Sequence, residues 1–178
     1  ISEIKQYMFS RCTALKEVSI PASVEFIRTW AFGDCAPMKS ITLPEGLKGI
    51  DAEAFNGCTS LNEITLPEGL EQLGAHAFDR CKALKSITCL RNEPLVQGKT
   101  MGVSVFDGVD KNLCELKVPR GYKDQYAAAE QWKEFTNISE HDLTGISLPI
   151  NQGRTMKTAI FTLNGQRLPA NAQPAQGL

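Results

Sequence analysis

Apolar and polar positions along this chain repeat with a period of 23 residues. Phe9, Cys12, Leu15, Val18, Ile20, Val24 and Ile27 are spaced by mostly polar residues, and Pro21 directly follows Ile20. The phrase returns as Phe32, Cys35, Met38, Ile41, Leu43, Pro44, Leu47 and Ile50, then as Phe55, Cys58, Leu61, Ile64, Leu66, Pro67, Leu70 and Leu73. It opens once more at Phe78, Cys81, Leu84 and Ile87. A fixed period of about 20 to 50 residues marks a solenoid, in which each unit buries its apolar side only against its neighbours. The inward slots are too many for one helical face and alternate over only part of the unit, so each coil is expected to consist of several short segments.

Leu15 to Ile20 ends in strict alternation, and its copies carry Ser19, Thr42, Thr65 and Thr88 between the apolar residues. This composition predicts one short strand per repeat, and stacking makes those strands a parallel sheet. Pro21, Pro44 and Pro67 follow directly. Proline cannot donate to a strand ladder, so they mark where each strand stops. Ala31-Phe32-Gly33-Asp34-Cys35 and its copies are too short for an ordinary helix and predict a tight 3₁₀ or single-turn corner that buries Phe and Cys.

The pattern Leu-x-x-Ile-x-Leu-Pro-x-x-Leu-x-x-Ile-x-x-x-Ala-Phe-x-x-Cys resembles the BspA-like leucine-rich repeats of bacterial surface and secreted proteins. The match runs over residues 1–91 and continues in degenerate form from Phe106 to Pro119, shifted by an insertion around residues 92–102. The resemblance implies an α/β repeat solenoid: right-handed and curved, mostly short parallel strands with 3₁₀ or short helical corners, the sheet on the concave side. It implies no catalysis. Residues 92–138 are expected to hold the degenerate repeat and a helical, aromatic C-terminal cap. Gly121 to Glu130 has the best helix propensity in the chain, and Tyr122, Tyr126, Trp132 and Phe135 supply bulk to cover the solenoid end. Val118 to Ile138 also resembles the closing segment of bacterial members of that family.

Residues 139–178 read as a separate, small β module, with a strand over Thr144 to Pro149 and a hairpin about Asn164-Gly165. This segment resembles the C-terminal module of many secreted proteins of the same bacteria, with its final strand missing. A lone hairpin is marginal in water, so it is expected to dock, pair or remain partly disordered. At the other end Ile1 and Ile4 already occupy the slots of Val24 and Ile27, so an export signal is expected upstream and the chain is expected to act outside the cell or on its surface.

Charge and composition exclude more than they suggest. A net charge of -1 with interspersed signs offers no footprint for nucleic acid or anionic lipid. No apolar run reaches the roughly 18 residues of a membrane span, so no membrane insertion is expected. Cys12, Cys35, Cys58 and Cys81 stand one repeat apart and point in parallel, which favours a ladder of free, buried thiols over disulfides or a converging metal site. Cys89 and Cys114 lie outside that ladder and are candidates to pair across the insertion. His76 and His141 are the only histidines, and neither is tied to a nucleophile or carboxylate by a recognisable spacing. No cofactor, metal or enzymatic reaction is expected.

Candidate function rests on the variable slots. Glu17, Ser40, Glu63 and Ser86 form one outward row on the strand face, and Thr42 and Thr65 belong to the next. Both rows read either as a solvated face of good strand formers or as a shallow polar surface for a protein or glycan. Tyr7 and Trp30 occupy a slot that later repeats give to Glu53 and His76, and Phe26 occupies one given to Gly49 and Gln72. Clustered surface aromatics suit an interaction site, and they equally suit packing against a neighbouring repeat or chain. The leading expectation is a non-catalytic adhesion or interaction module whose partner is an extracellular protein, of host matrix or of another cell. The alternatives are a carbohydrate-binding accessory protein of a surface glycan system and a structural spacer without ligand.

Overall fold

The computed structural model describes residues 1–142, which fall within one compact unit, Ile1–Gly145. The strand at Thr144, the Asn164-Gly165 hairpin and the polar tail lie outside the described residues. In chain order the strands are β1 (Glu3–Ile4), β2 (Glu17–Ser19), β3 (Phe26–Ile27), β4 (Ser40–Thr42) and β5 (Gly49–Ile50). Then follow β6 (Glu63–Leu66), β7 (Gln72–Leu73), β8 (Ser86–Cys89), β9 (Glu115–Pro119), the helix α1 (Lys123–Ala128), a 3₁₀ turn (Trp132–Glu134) and β10 (Asn137–His141).

Each 23-residue coil contributes two strands rather than the single one expected. The alternating strand lies where the sequence places it, as β2-β4 and β6-β8-β9-β10, all parallel. Between β4 and β6 the register continues through Asn62 N–H to Lys39 C=O (3.1 Å), as Lys85 N–H continues it to Asn62 C=O (2.8 Å). A second parallel sheet, β1-β3-β5-β7, pairs Ile4, Ile27, Ile50 and Leu73 in strict repeat register. Only two residues of each coil form it, too few for alternation to show. The turn between the two strands closes on the proline itself, whose carbonyl accepts from Val24, Leu47 or Leu70 N–H at 3.0 to 3.1 Å. Proline thus ends one strand by lacking a donor and starts the turn by supplying an acceptor.

The return corner carries no helix. Its hydrogen bonds run from residue i+3 back to i, as in Gly33 N–H to Trp30 C=O and Cys35 N–H to Phe32 C=O. Two slots in it adopt left-handed backbone: Tyr7, Trp30, Glu53, His76 and Ser104 at φ +53° to +59°, then Arg11, Asp34, Gly57, Arg80 and Gly108 at +56° to +77°. Left-handed residues cannot continue a right-handed helix, so the corner is a chain of tight turns. The repeats are therefore a β solenoid rather than α/β.

Both sheets and the corners share one core. Phe9, Phe32, Phe55, Phe78 and Phe106 stack along it with centroids 5.2 to 5.9 Å apart and planes within 11°. The stack ends on Trp132, tilted 58° at 5.2 Å, and Phe135, edge-on at 5.4 Å. The insertion moves the register without breaking the sheet, since Ser86 pairs with Glu115 29 positions on, and Leu73 bridges to Met101 to extend the second sheet. β10 pairs in parallel with β9, placing Asn137 against Glu115 and His141 against Pro119. This strand straddles the boundary read at 138/139, so the closing coil runs on to His141. Its sequence hides it, because Glu140 stands in the inward slot of Val118 and instead accepts from Gly121 N–H (2.9 Å).

Candidate functional site

Of the aromatic residues singled out from the sequence, the fold brings two together. Tyr7 and Trp30, one coil apart in the same left-handed slot, stack with centroids 6.4 Å apart and planes 28° from parallel. A left-handed backbone costs an L-residue roughly 1–2 kcal/mol, and the bulky aromatics are poor choices for it. The slot itself is dictated by the corner, so the choice of side chain needs a separate cause. Trp30 is half-buried because its ring folds over Gly33, where any Cβ would overlap it. Tyr7 retains 57% of its exposure and Met8 beside it is exposed as well.

Phe26 has different neighbours. On β3 it lies over Gly49 of the next coil, where a Cβ would come within 2.8 Å of the ring, and the Arg28 guanidinium sits 4.6 Å from its centroid. Arg28 also donates from Nε to Glu3 (2.7 Å) and pairs with Asp51 at 3.5 Å. Its ring is therefore engaged within the sheet face, and no ring contact joins it to Tyr7 or Trp30 among the described residues.

The strand-face rows stand in the register read from the sequence: Glu17 beside Ser40, Glu63 beside Ser86, Thr65 beside Thr88, with Thr42 beside Ser19. Glu17, Glu63, Thr42 and Thr65 are exposed, while Ser40 and Ser86 are half-buried. The degenerate repeat extends the rows with Glu115 and Lys117, and the closing strand adds Ser139, whose hydroxyl donates to Glu115 (2.7 Å).

The cysteine ladder is structural in a more specific way than small apolar side chains imply. The thiols of Cys35, Cys58 and Cys81 lie 2.9, 3.2 and 3.3 Å from the carbonyls of Phe9, Phe32 and Phe55 in the preceding coil and donate to them. Burial pushes all three pKa values up, that of Cys81 to about 12. Cys89 and Cys114, the pair considered across the insertion, are free thiols, both raised by burial to about 12. These groups are protonated at neutral pH and lack the thiolate that nucleophilic chemistry needs. His76 faces only Asp79, at 4.0 Å, and among the described residues no group of three or more His, Cys, Asp or Glu converges as a metal site would require.

One feature escaped sequence reading. In the slot of Arg28 and Asp51 the later coils carry Gly74 and Gly102, and the adjacent slot narrows from Thr29 to Ala52 and Ala75. Side chains vanish there while the insertion rises beside them, leaving an open groove of about 540 Å³. The signal was present in the aligned repeats as shrinking residues, but the depth depends on how the insertion folds back.

Parallel coils, a shared apolar core and exposed polar rows define a repeat scaffold. A model of the BspA type leucine-rich repeat region matches residues 1–126 in six copies, and the chain belongs to that family. Among solved structures it is similar to a Treponema pallidum leucine-rich repeat protein, TpLRR, with 26% identity, a TM-score of 0.60, and coverage of 78% of this chain and 63% of that one. The pneumococcal vaccine antigen PcpA shares the fold at 23% identity and a TM-score of 0.57, with 79% of this chain and 38% of that chain covered. The chain thus spans less than two thirds of the length of either. No curated protein matches it. Among the described residues no helix is long and apolar enough to cross a membrane.

Proposed function

We propose that this chain is a non-catalytic interaction module of an exported or cell-surface protein, and that it binds an extracellular protein through the Tyr7–Trp30 pair. The observation that carries this reading is that two large aromatics occupy a left-handed slot poorly suited to them, stacked, with Tyr7 largely in solvent. Later coils fill the same slot with Glu53 and His76, so the backbone does not require an aromatic there. Binding hot spots of protein interfaces are enriched in Trp and Tyr. The rows of Glu17, Ser40, Glu63, Ser86, Thr42 and Thr65 belong to the alternating strands, a different sheet from the one that precedes Tyr7 and Trp30, and offer a separate polar surface.

The test is binding of the chain to a panel of immobilised extracellular matrix proteins. Trp30→Glu and Tyr7→Glu, each using the residue that Glu53 places in this slot, are expected to weaken the interaction about 30-fold, as for a hot spot of about 2 kcal/mol. Unchanged affinity in both variants, or no binding to any member of the panel, counts against the proposal.

A further inference from the structure

The groove beside the insertion points to a second ligand, independent of the Tyr7–Trp30 surface: we infer that it holds one or two rings of a neutral oligosaccharide. Its volume of about 540 Å³ lies in the range of roughly 300–1,000 Å³ typical of small-ligand sites. Half-buried Ala52, Gly74, Ala75 and Gly102 line it, together with Thr29 and Gln72 of the coils and Lys99 and Thr100 of the insertion. The glycines allow the coils to close: a Cβ at Gly74 would overlap the backbone of Ala52, and one at Gly102 that of Ala75. The lining therefore offers backbone and methyl groups at its small residues, and hydroxyl, carboxamide and ammonium groups at Thr29, Thr100, Gln72 and Lys99.

Charge and hydrogen bonding narrow the class of occupant. Asp51, the carboxylate lining the groove, is paired with Arg28 at 3.5 Å, leaving Lys99 as the one unmatched charge among its described lining residues. A strongly charged ligand finds no cluster to hold it. An extended peptide would bind by adding a strand, and that needs free backbone donors and acceptors. The edge of β7 is already used: Leu73 N–H donates to Thr100 C=O (2.9 Å), Gly74 N–H to Ile50 C=O (2.7 Å) and Gly102 N–H to Leu73 C=O (2.7 Å). Recognition then falls to the side chains and to the lining backbone groups outside that edge. A pyranose ring matches this mixed lining, with C–H groups on its face and hydroxyls around its edge. Thr29 and Gln72 both donate and accept, as hydroxyl partners must, and Lys99 donates.

The repeat itself supplies substitutions that each slot accommodates. Ala75→Thr installs the residue found at Thr29, and Gln72→Gly the one found at Gly49. The first adds bulk to the lining and the second removes the carboxamide. Chemical-shift titration of the chain with maltohexaose, cellohexaose, mannohexaose and N-acetylchitohexaose is expected to give saturable shifts with at least one, centred on Ala52, Gln72, Ala75 and Lys99. The double variant is expected to lose about tenfold in affinity, the size of one or two lost hydrogen bonds, with an unchanged melting temperature. Absence of shifts with every sugar, shifts centred elsewhere, or equal affinity in the folded double variant overturns the proposal. So does saturable binding of a peptide library in the groove without any sugar response. Shift mapping on the unmodified chain decides the matter even if the double variant does not fold.

Discussion

Cys58 joins two coils with one small side chain, packed as a hydrophobe and donating its thiol to Phe32 C=O at 3.2 Å. Its slot was legible as buried, since a polar residue never takes it in the four clear repeats. The acceptor was not legible, because it belongs to the preceding coil and depends on the exact stagger of the stack. A buried thiol whose pKa is raised stays protonated after its unfolded counterpart ionises. Cys81, Cys89 and Cys114 keep their protons to about pH 12 in the fold, against an ordinary value of 9.0. The unfolded chain thus binds fewer protons between those limits, and stability, fully present below about pH 9, falls as pH rises towards 12. Urea midpoints compared on either side of pH 9 should drop with pH, and Cys81→Ala should flatten the slope. Thiol-reactive probes at neutral pH should label half-buried Cys12 before any other cysteine.

Gln131 shows a different economy. In regular coils a turn N–H donates to the carbonyl three residues back, as Ala31 does to Arg28 (3.0 Å). At the last coil Gln131 inserts its carboxamide between the equivalent groups: Val105 N–H donates to Oε1 (2.7 Å), and Nε2 donates to Gly102 C=O (2.6 Å). The side chain mimics a peptide group where the insertion has pulled the turn open. Gln131→Ala leaves the buried Val105 N–H and the half-buried Gly102 C=O without this partner and is expected to cost about 1–3 kcal/mol, with faster amide exchange at Val105.

At the scale of elements, the phenylalanine stack is the most readable feature, since one aromatic per period in a fixed slot has only its copies to meet. Phe55 lies between Phe32 and Phe78 at 5.3 and 5.2 Å and is fully buried. Phe55→Ala should destabilise the fold by about 3–5 kcal/mol in chemical denaturation, the range for emptying an aromatic core site. The alternating strand was readable for the same reason of period. The second sheet was not, because two-residue strands leave no pattern. The corners make the i+3 to i bonds expected of a 3₁₀ or single turn, but their left-handed breaks are invisible in residues such as Trp30, Glu53 and Arg80. Among the ten residues of the two left-handed slots, glycine signals the bend only at Gly57 and Gly108.

At the scale of the whole molecule, the repeat period accounts for residues 1–91 directly, and the family match through residue 126 follows the same slots past the insertion. The closing strand and the groove were hidden because both depend on where the irregular segments return to the stack. What the period leaves unexplained is the aromatic pair of Tyr7 and Trp30, to which the proposed partner recognition is assigned. Hydroxyl-radical footprinting of the chain, alone and with whichever matrix protein retains it in the binding panel, is the test. Oxidation of Tyr7 and Trp30 is expected to fall on binding while that of exposed Leu113 stays constant. Binding that leaves Tyr7 and Trp30 as reactive as in the free chain contradicts it.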